Sequence, residues 1–155
     1  MQQEEKGKGI SPDEVRAAVR NFWTVFTGKA RHVFPEMYFH EASVLSSTGD
    51  HAEPGRLAVA RRIRKFFDSP GTLNADLGAI EVQILGGNTA LATYVYAFQS
   101  TETRSDGSRV RRSTPFTRAT HIFQRDEHGA LKIIHEHLSS AAGPVIETLA
   151  SNQGD

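Results

Sequence analysis

The sequence contains no cysteine in its 155 residues. This absence excludes disulfides, thiolate nucleophiles and metal sites built on cysteine sulfur. An excess of charge is also missing, because 18 Lys and Arg residues balance 18 Asp and Glu residues. A chain with balanced charge has no global field that attracts nucleic acid or an anionic membrane. We therefore expect neither nucleic acid nor a membrane as a partner.

Long apolar runs are missing as well. No stretch approaches the roughly 20 apolar residues that a membrane-spanning helix needs. The first nine residues are polar and lack the apolar segment of a secretory signal. These features predict a cytoplasmic protein with one domain over residues 10–142, a mobile tail over residues 1–9 and a C-terminal tail over residues 143–155.

Helical signals fill the first half of the chain. Ser11 is a candidate N-cap, Pro12 suits the first helical position and Glu14 completes a capping box. Apolar residues follow at helical spacing as far as Phe26. The same half predicts a short helix over residues 30–38, a strand over 39–47, a turn at 48–50 and a third helix from 53 to 69.

In the second half the apolar period changes from helical spacing to two. This pattern predicts strands over residues 77–85, 90–101, 109–124 and 131–140, and a short helix around 145–150. Pro115 is expected to make the third of these strands irregular, because proline cannot donate to the ladder. Helices followed by an antiparallel meander indicate an α+β fold with helices on one face of the sheet.

The second half also carries a family resemblance. Residues 120–126 and 132–139 resemble the terminal hairpin of SnoaL-like domains and of the calmodulin-dependent kinase II association domain, and residues 92–98 are similar to the long central strand. Both groups belong to the nuclear-transport-factor-2-like superfamily. The resemblance covers residues 10–140 and implies a cystatin-like cone, in which a strongly curved mixed or antiparallel sheet wraps round the N-terminal helices. It also implies an internal cavity and a homodimer through the outer sheet face.

The kinase association domain carries basic residues at several cavity positions. The matching positions here are Tyr96, His121 and Leu138, so its anion binding is not implied for this chain. Members of the superfamily use the cavity for isomerisation, dehydration, ring closure or ligand binding. The fold alone therefore does not fix the function. We expect no cofactor.

Tyr96, His121 and Glu136 are the candidate catalytic residues. Strand alternation places His121 on the more apolar face of its strand, and the resemblance places Tyr96 inward. Tyr96 would donate a hydrogen bond to a substrate oxygen, and His121 would move a proton. The alternative is that both are core residues with satisfied polar groups.

The inner face of the last strand depends on the register of the last hairpin. If Arg125 pairs with Ala130, His121 lies opposite Ile134 and shares its face with Glu136. The resemblance favours this register. Glu136 would then be an inward general acid or base.

The alternative register has a five-residue loop and turns His135 and His137 toward His121. In the favoured register, His135 and His137 supply only two metal ligands, whereas a zinc site needs at least three. We therefore expect no metal. Another interpretation of Glu136 is a surface salt bridge to Arg118 or a neighbouring arginine.

The expected ligand is a small apolar or aromatic molecule. Candidate ligand-binding residues are Trp23, Phe26, Tyr38, Phe66, Tyr94, Phe98, Phe123 and Leu138, although aromatic residues at such spacing also build ordinary cores. Two arginine-rich segments, residues 61–65 and 104–112, include acidic neighbours and no aromatic platform, so we expect solvated faces there.

Two functions remain open at this point. One is a dimeric protein that binds a small molecule in its cavity without catalysis. The other is a cofactor-free isomerase, dehydratase or cyclase of the SnoaL or ketosteroid-isomerase type, acting on a steroid- or polyketide-like substrate by acid–base chemistry. Nothing in the sequence names a reaction, so whether the chain is an enzyme stays open.

Overall fold

The computed structural model describes residues 9–45, 53–140 and 143–149. In this part of the chain, no helix is long and apolar enough to cross a membrane. The elements are α1 (Pro12–Thr27), β1 (Tyr38–Leu45), β2 (Glu53–Pro54), α2 (Gly55–Asp68), β3 (Thr72–Leu77), β4 (Glu81–Gly86), β5 (Thr89–Thr103), β6 (Arg109–Arg125), β7 (Leu131–Ser139) and β8 (Val145–Leu149).

The predicted start of α1 is confirmed. The Ser11 hydroxyl accepts a hydrogen bond from the Glu14 backbone N–H at 3.2 Å, and the Glu14 carboxylate accepts one from the Ser11 N–H at 3.4 Å. This reciprocal pair satisfies two backbone donors that the first helical turn leaves free. The helix buries Phe22 and Trp23 against the inner face of the sheet, and α2 buries Val59 there.

The eight strands form one mixed sheet. Its order is β2-β1-β7-β6-β5-β3, with β4 also paired to β5 and β8 to β6. Only β1 and β7 run parallel among the described pairs. Helix α1 contacts β3, β4 and β5, whereas α2 contacts β1 near the opposite edge of the sheet. The predicted α+β fold, with a curved sheet wrapped round the helices, is confirmed.

Several predicted elements were wrong in extent or type. The helix expected over residues 30–38 is only a 3₁₀ turn over Phe34–Met37, since β1 already starts at Tyr38. The strand expected over residues 77–85 begins only at Glu81, as β4, and strand β3 over Thr72–Leu77 was not predicted; the two pair with different halves of β5. The short helix expected around residues 145–150 is strand β8, paired with the start of β6. The turn expected at residues 48–50 lies outside the described residues.

A bulge in β6 confirms the irregularity expected at Pro115. Tyr96 of β5 pairs with Thr117, but Phe98 pairs with Thr114, so β6 has one extra residue between these pairs. Phe116 in the bulge has φ 56° and is 75% exposed. Because the bulge shifts the alternation by one, β6 turns even-numbered residues inward before it and odd-numbered residues inward after it.

A second bulge sets the face of β7. Arg125 pairs with Leu131 rather than with Ala130, so the loop has the longer length. Ile122 pairs with His135, but Phe123 pairs with Ile133, which leaves Ile134 as an extra residue. This bulge restores the alternation that the longer loop would have reversed.

His121 consequently lies opposite Glu136 rather than opposite Ile134. The expected face was right, although the expected pairing that led to it was wrong. His135 and His137 flank the inward Glu136 along β7 and point to the outer face of the sheet, since successive residues of a strand alternate in direction.

Candidate functional site: a buried polar network beside an aromatic cavity

Glu136 is a fully buried carboxylate with three hydrogen-bond donors around it. Its side chain has 0% exposure. Oε2 accepts from the Tyr38 hydroxyl at 2.8 Å and lies 2.8 Å from His121 Nε2. Oε1 accepts from a terminal nitrogen of Arg62 at 3.0 Å. A carboxylate can remain ionised in the interior when it is paired and hydrogen-bonded in this way.

The network continues behind His121. Trp23 Nε1 donates to the Tyr94 hydroxyl at 2.8 Å, and this hydroxyl lies 3.4 Å from His121 Nδ1. If His121 carries its proton on Nε2 and Tyr94 donates to Nδ1, every donor in the series from Trp23 to Glu136 has an acceptor. The Nε2–H of His121 is therefore directed at Glu136, whether the ring is neutral or charged.

The protonation states of the acidic groups follow from their surroundings. Burial alone would raise the pKa of Glu136, but the hydrogen bond and charge of His121, with Arg62 and Tyr38, hold that pKa below its usual value of 4.5. Burial raises the pKa of Tyr38 and of Tyr94 well above the usual value of 10. Burial also raises the pKa of Tyr96. At neutral pH the site therefore holds one carboxylate and tyrosine hydroxyls that can donate.

A cavity of about 570 Å³ lies between the two helices and the inner face of the sheet. Most of its wall is apolar, and its aromatic rings include Phe22, Trp23, Phe26, Phe34, Phe66 and Phe98. The Trp23 and Tyr96 rings are in contact, with centroids 4.3 Å apart. Such a wall suits a flat apolar molecule.

The charged groups of the wall differ in exposure, because the Arg62 side chain is 20% exposed and that of Arg112 is 41% exposed. Tyr38, Arg62 and Glu136 form the buried end, since Tyr38 and Glu136 have 0% exposure. The other end contains Ser100 and Arg112, and the exposed Pro144 lies on the same rim. The cavity thus runs from an ionised, hydrogen-bonded floor to a polar rim.

The structure brings some of the candidate catalytic residues together. Tyr96 and Glu136 line the cavity. His121 contacts Glu136 from behind and is not among the residues that line the cavity. Its role, if the site is catalytic, would pass through Glu136 rather than through direct contact with a ligand.

The candidate ligand-binding residues also divide in two. Those that line the cavity are Trp23, Phe26, Tyr38, Phe66, Phe98 and Leu138. Tyr94 and Phe123 lie in the core behind the wall. Tyr94 is a member of the polar network, and Phe123 packs edge-on against His121 with ring centroids 5.7 Å apart.

Arg62 and Arg112 are the charged residues that the sequence analysis missed. Both belong to segments expected to be solvated, yet both line the cavity. A signal existed for Arg62, which comes three residues after Val59 and four before Phe66, on the same helix face. For Arg112 the signal was Pro115. Simple alternation from His121 places Arg112 on the outer face, and only a bulge between them, such as a proline favours, turns it inward.

The salt bridge of Glu136 also differs from the surface interpretation. Its partner is Arg62 from α2, inside the fold, and not Arg118. Within residues 9–45, 53–140 and 143–149, no group of three or more histidine and acidic residues is placed to hold a metal ion.

Comparisons with known proteins identify the fold. No protein-family model and no curated protein sequence matches the chain. Solved structures do match. A candidate calcium/calmodulin-dependent protein kinase II association domain from Xanthomonas campestris has a TM-score of 0.66 at 17% identity, covering 89% of this chain and 97% of that one.

Two further solved structures are dehydratase-like. A candidate scytalone dehydratase from Novosphingobium aromaticivorans has a TM-score of 0.74 at 8% identity, covering 90% of this chain and 88% of that one. A candidate dehydratase of the nuclear-transport-factor-2-like family from Streptomyces avermitilis has a TM-score of 0.71 at 18% identity, covering 84% and 96%. The chain therefore has the nuclear-transport-factor-2-like fold, as its resemblance predicted.

Proposed function

We propose that the protein binds a small, largely apolar or aromatic molecule in the cavity. The supporting observation is an aromatic wall around about 570 Å³ of space that the side chains of the fold do not fill. Small-molecule sites have volumes of about 300–1,000 Å³, with mostly apolar walls and a few polar groups that fix orientation. Both features are present here, and the polar groups are held by hydrogen bonds before any ligand arrives.

The state of Glu136 favours binding over catalysis. Both of its oxygens already accept hydrogen bonds from the protein. Its pKa lies below the usual value, whereas an effective general base has a pKa near the working pH. Glu136 is therefore a weak base, and its network acts as a rigid floor that holds Arg62 and Tyr38 in place.

Trp23 makes binding directly measurable, because it is the only tryptophan in the sequence and lines the cavity. N-phenyl-1-naphthylamine, a neutral aromatic probe, should bind and quench the emission of Trp23 by energy transfer. Phe66→Ala removes part of the wall and should weaken binding at least fivefold.

Leu57→Ala is the matched control for this experiment. Leu57 lies on the same helix as Phe66, is 72% exposed and does not line the cavity. Its substitution should leave the binding constant unchanged. Failure of the probe to bind, or equal effects of the two substitutions, would contradict the proposed site. Circular dichroism of both variants checks that they fold.

A cofactor-free isomerase, dehydratase or cyclase is the second candidate. The observation in its favour is an ionised carboxylate on the cavity wall, with the hydroxyls of Tyr38 and Tyr96 on the same wall. In such a reaction Glu136 would take a proton from a carbon next to a carbonyl. Tyr96 would donate a hydrogen bond to the carbonyl oxygen, and His121 would hold the carboxylate in place.

The two candidates are separated by activity measurements on steroid and polyketide-like ketones. The enzyme requires turnover that Glu136→Gln lowers by about 100-fold or more, in the range of general acid–base contributions. Tyr96→Phe should lower it as well. Binding of these ketones without turnover, or turnover that neither substitution changes, argues for the binding protein.

We further propose that the protein forms a homodimer through the outer face of the sheet. Supporting this, Leu91, Ile122 and His135 form one row across three strands on that face. Val95 lies on the same face and is 43% exposed. A largely apolar row of this kind on the outer face of a sheet is typical of a surface that another protein chain covers.

A further inference from the structure

The charged groups in the cavity wall are unbalanced. Among the described residues, the wall contains two guanidinium groups, of Arg62 and Arg112, but only one carboxylate, of Glu136. Arg62 is bonded to that carboxylate at the buried end. Arg112 is paired with Glu102, whose carboxylate lies outside the wall, so within the described part of the chain the rim presents a guanidinium group and no carboxylate to the cavity.

Arg112 has hydrogen-bond donors to spare. Its side chain is 41% exposed, and among the described residues it makes one ion pair, with Glu102 at 2.8 Å. Glu102 does not line the cavity. A guanidinium carries five N–H donors in a planar fork, so one contact leaves most of them available.

The residues around Arg112 supply further donors. Arg112 pairs with Ser100 on the neighbouring strand, and Thr114 is the next inward residue of β6. All three line the cavity. A guanidinium fork flanked by two hydroxyls is suited to bind both oxygens of a carboxylate.

We propose that the natural ligand is an amphipathic carboxylate, with its apolar body between the aromatic rings and its carboxylate on Arg112 at the rim. This inference rests on the proposed binding function and names the chemical class of the ligand. An anion at the rim keeps part of its hydration, which lowers the desolvation penalty. At the buried end it would lose that hydration and be repelled by Glu136.

Two matched probes test the ligand class by isothermal titration calorimetry. 4-Biphenylcarboxylate and 4-biphenylcarboxamide have nearly the same shape and differ in charge. The acid should bind at least tenfold more tightly than the amide. Arg112→Gln should remove this preference by weakening the acid and leaving the amide unchanged. Unchanged binding of the amide also shows that the variant is folded.

Arg111→Gln is the matched control. Arg111 is the neighbouring residue on β6, pairs with Glu147 of β8 and does not line the cavity. Its substitution should change the affinity for the acid by less than twofold. A second variant, Glu102→Gln, frees Arg112 from its carboxylate and should strengthen binding of the acid severalfold, without affecting the amide.

The outcomes separate this inference from the proposed function. If acid and amide bind equally, or if Arg111→Gln weakens the acid as much as Arg112→Gln does, the carboxylate inference is wrong and the binding function stands. If neither probe binds, and N-phenyl-1-naphthylamine does not bind either, the proposed function fails and this inference fails with it.

Discussion

Glu136 is the residue on which the geometry of the site depends. A carboxylate with 0% exposure is strongly destabilising unless other groups compensate its charge, and here Arg62, His121 and Tyr38 do so. Each of these partners comes from a different element, so one carboxylate joins α2, β1, β6 and β7. The network therefore contributes to stability as well as to the shape of the cavity floor.

The pH dependence of stability should report the ionised state of Glu136. Its pKa in the folded protein lies below the usual value of 4.5. The stability that it contributes is present above that value and is lost as the pH falls through the lower folded-state pKa. Glu136→Gln should lower the free energy of unfolding by about 3 kcal/mol at neutral pH, and the difference should shrink in acid.

Urea denaturation from about pH 7 to about pH 3 measures this effect. The control is Glu147→Gln, which removes the exposed ion pair with Arg111 and should cost less than about 1 kcal/mol. If the wild type and Glu136→Gln lose stability in parallel as the pH falls, Glu136 is not the ionised centre of the network.

Single residues were predictable from the sequence where one local pattern decides their position. Tyr96 and Glu136 reach the cavity wall as expected. The helical spacing also indicates that Arg62 lies on the inner face of α2, with Val59 and Phe66. The contact between Tyr38 and Glu136 joins residues 98 positions apart in the sequence. No local pattern predicts such a contact, because it exists only after β1 pairs with β7.

At the scale of elements, two bulges decide which side chains reach the cavity. The β6 bulge turns Arg112 inward, and the β7 bulge turns Glu136 inward. Pro115 indicates the first bulge in the sequence, because a proline in a strand disrupts the ladder. No residue near Ile134 indicates the second bulge. Without that bulge, the longer hairpin loop would turn Glu136 outward, so the loop length and the correct face could not both be predicted from the sequence.

Backbone strain at the β6 bulge leads to a prediction about Phe116. Its φ of 56° is unfavourable for any residue with a side chain, and its ring is 75% exposed. Phe116→Gly should therefore preserve or raise the free energy of unfolding, by up to about 1 kcal/mol. Phe116→Val should lower it by about 1–2 kcal/mol, because a branched side chain is strained there.

Val95→Gly provides the comparison for the bulge. Val95 is 43% exposed and lies on the regular part of β5, where glycine should cost about 1 kcal/mol. Urea denaturation of all three variants measures the order. A loss of stability in Phe116→Gly equal to that in Val95→Gly would show that the bulge does not have this conformation.

At the scale of the whole molecule, the order of elements was predictable and the edges of the sheet were not. Helical and alternating periods separate along the sequence, so the α+β class and the central β5–β6–β7 meander followed from them. Strand β8 is short and exposed and exists through its pairing with β6. A five-residue segment whose structure depends on a distant partner gives only a weak local signal.

The assembly proposal is tested by sedimentation velocity. The wild type should sediment as a dimer, and Val95→Glu should shift it toward monomer, because a charge on the outer face would be buried in the interface. Val33→Glu is the control, since Val33 is 53% exposed and lies off the sheet. A monomeric wild type, or equal effects of the two substitutions, would contradict the proposed interface.

A crystal structure of the protein with 4-biphenylcarboxylate is the most direct test of the proposed ligand site. We expect the biphenyl rings to lie in the cavity against Trp23 and Phe66, with the carboxylate within hydrogen-bond distance of Arg112. An empty cavity at saturating ligand, or a ligand bound only on the outer surface, would contradict the claim that this cavity is the functional site.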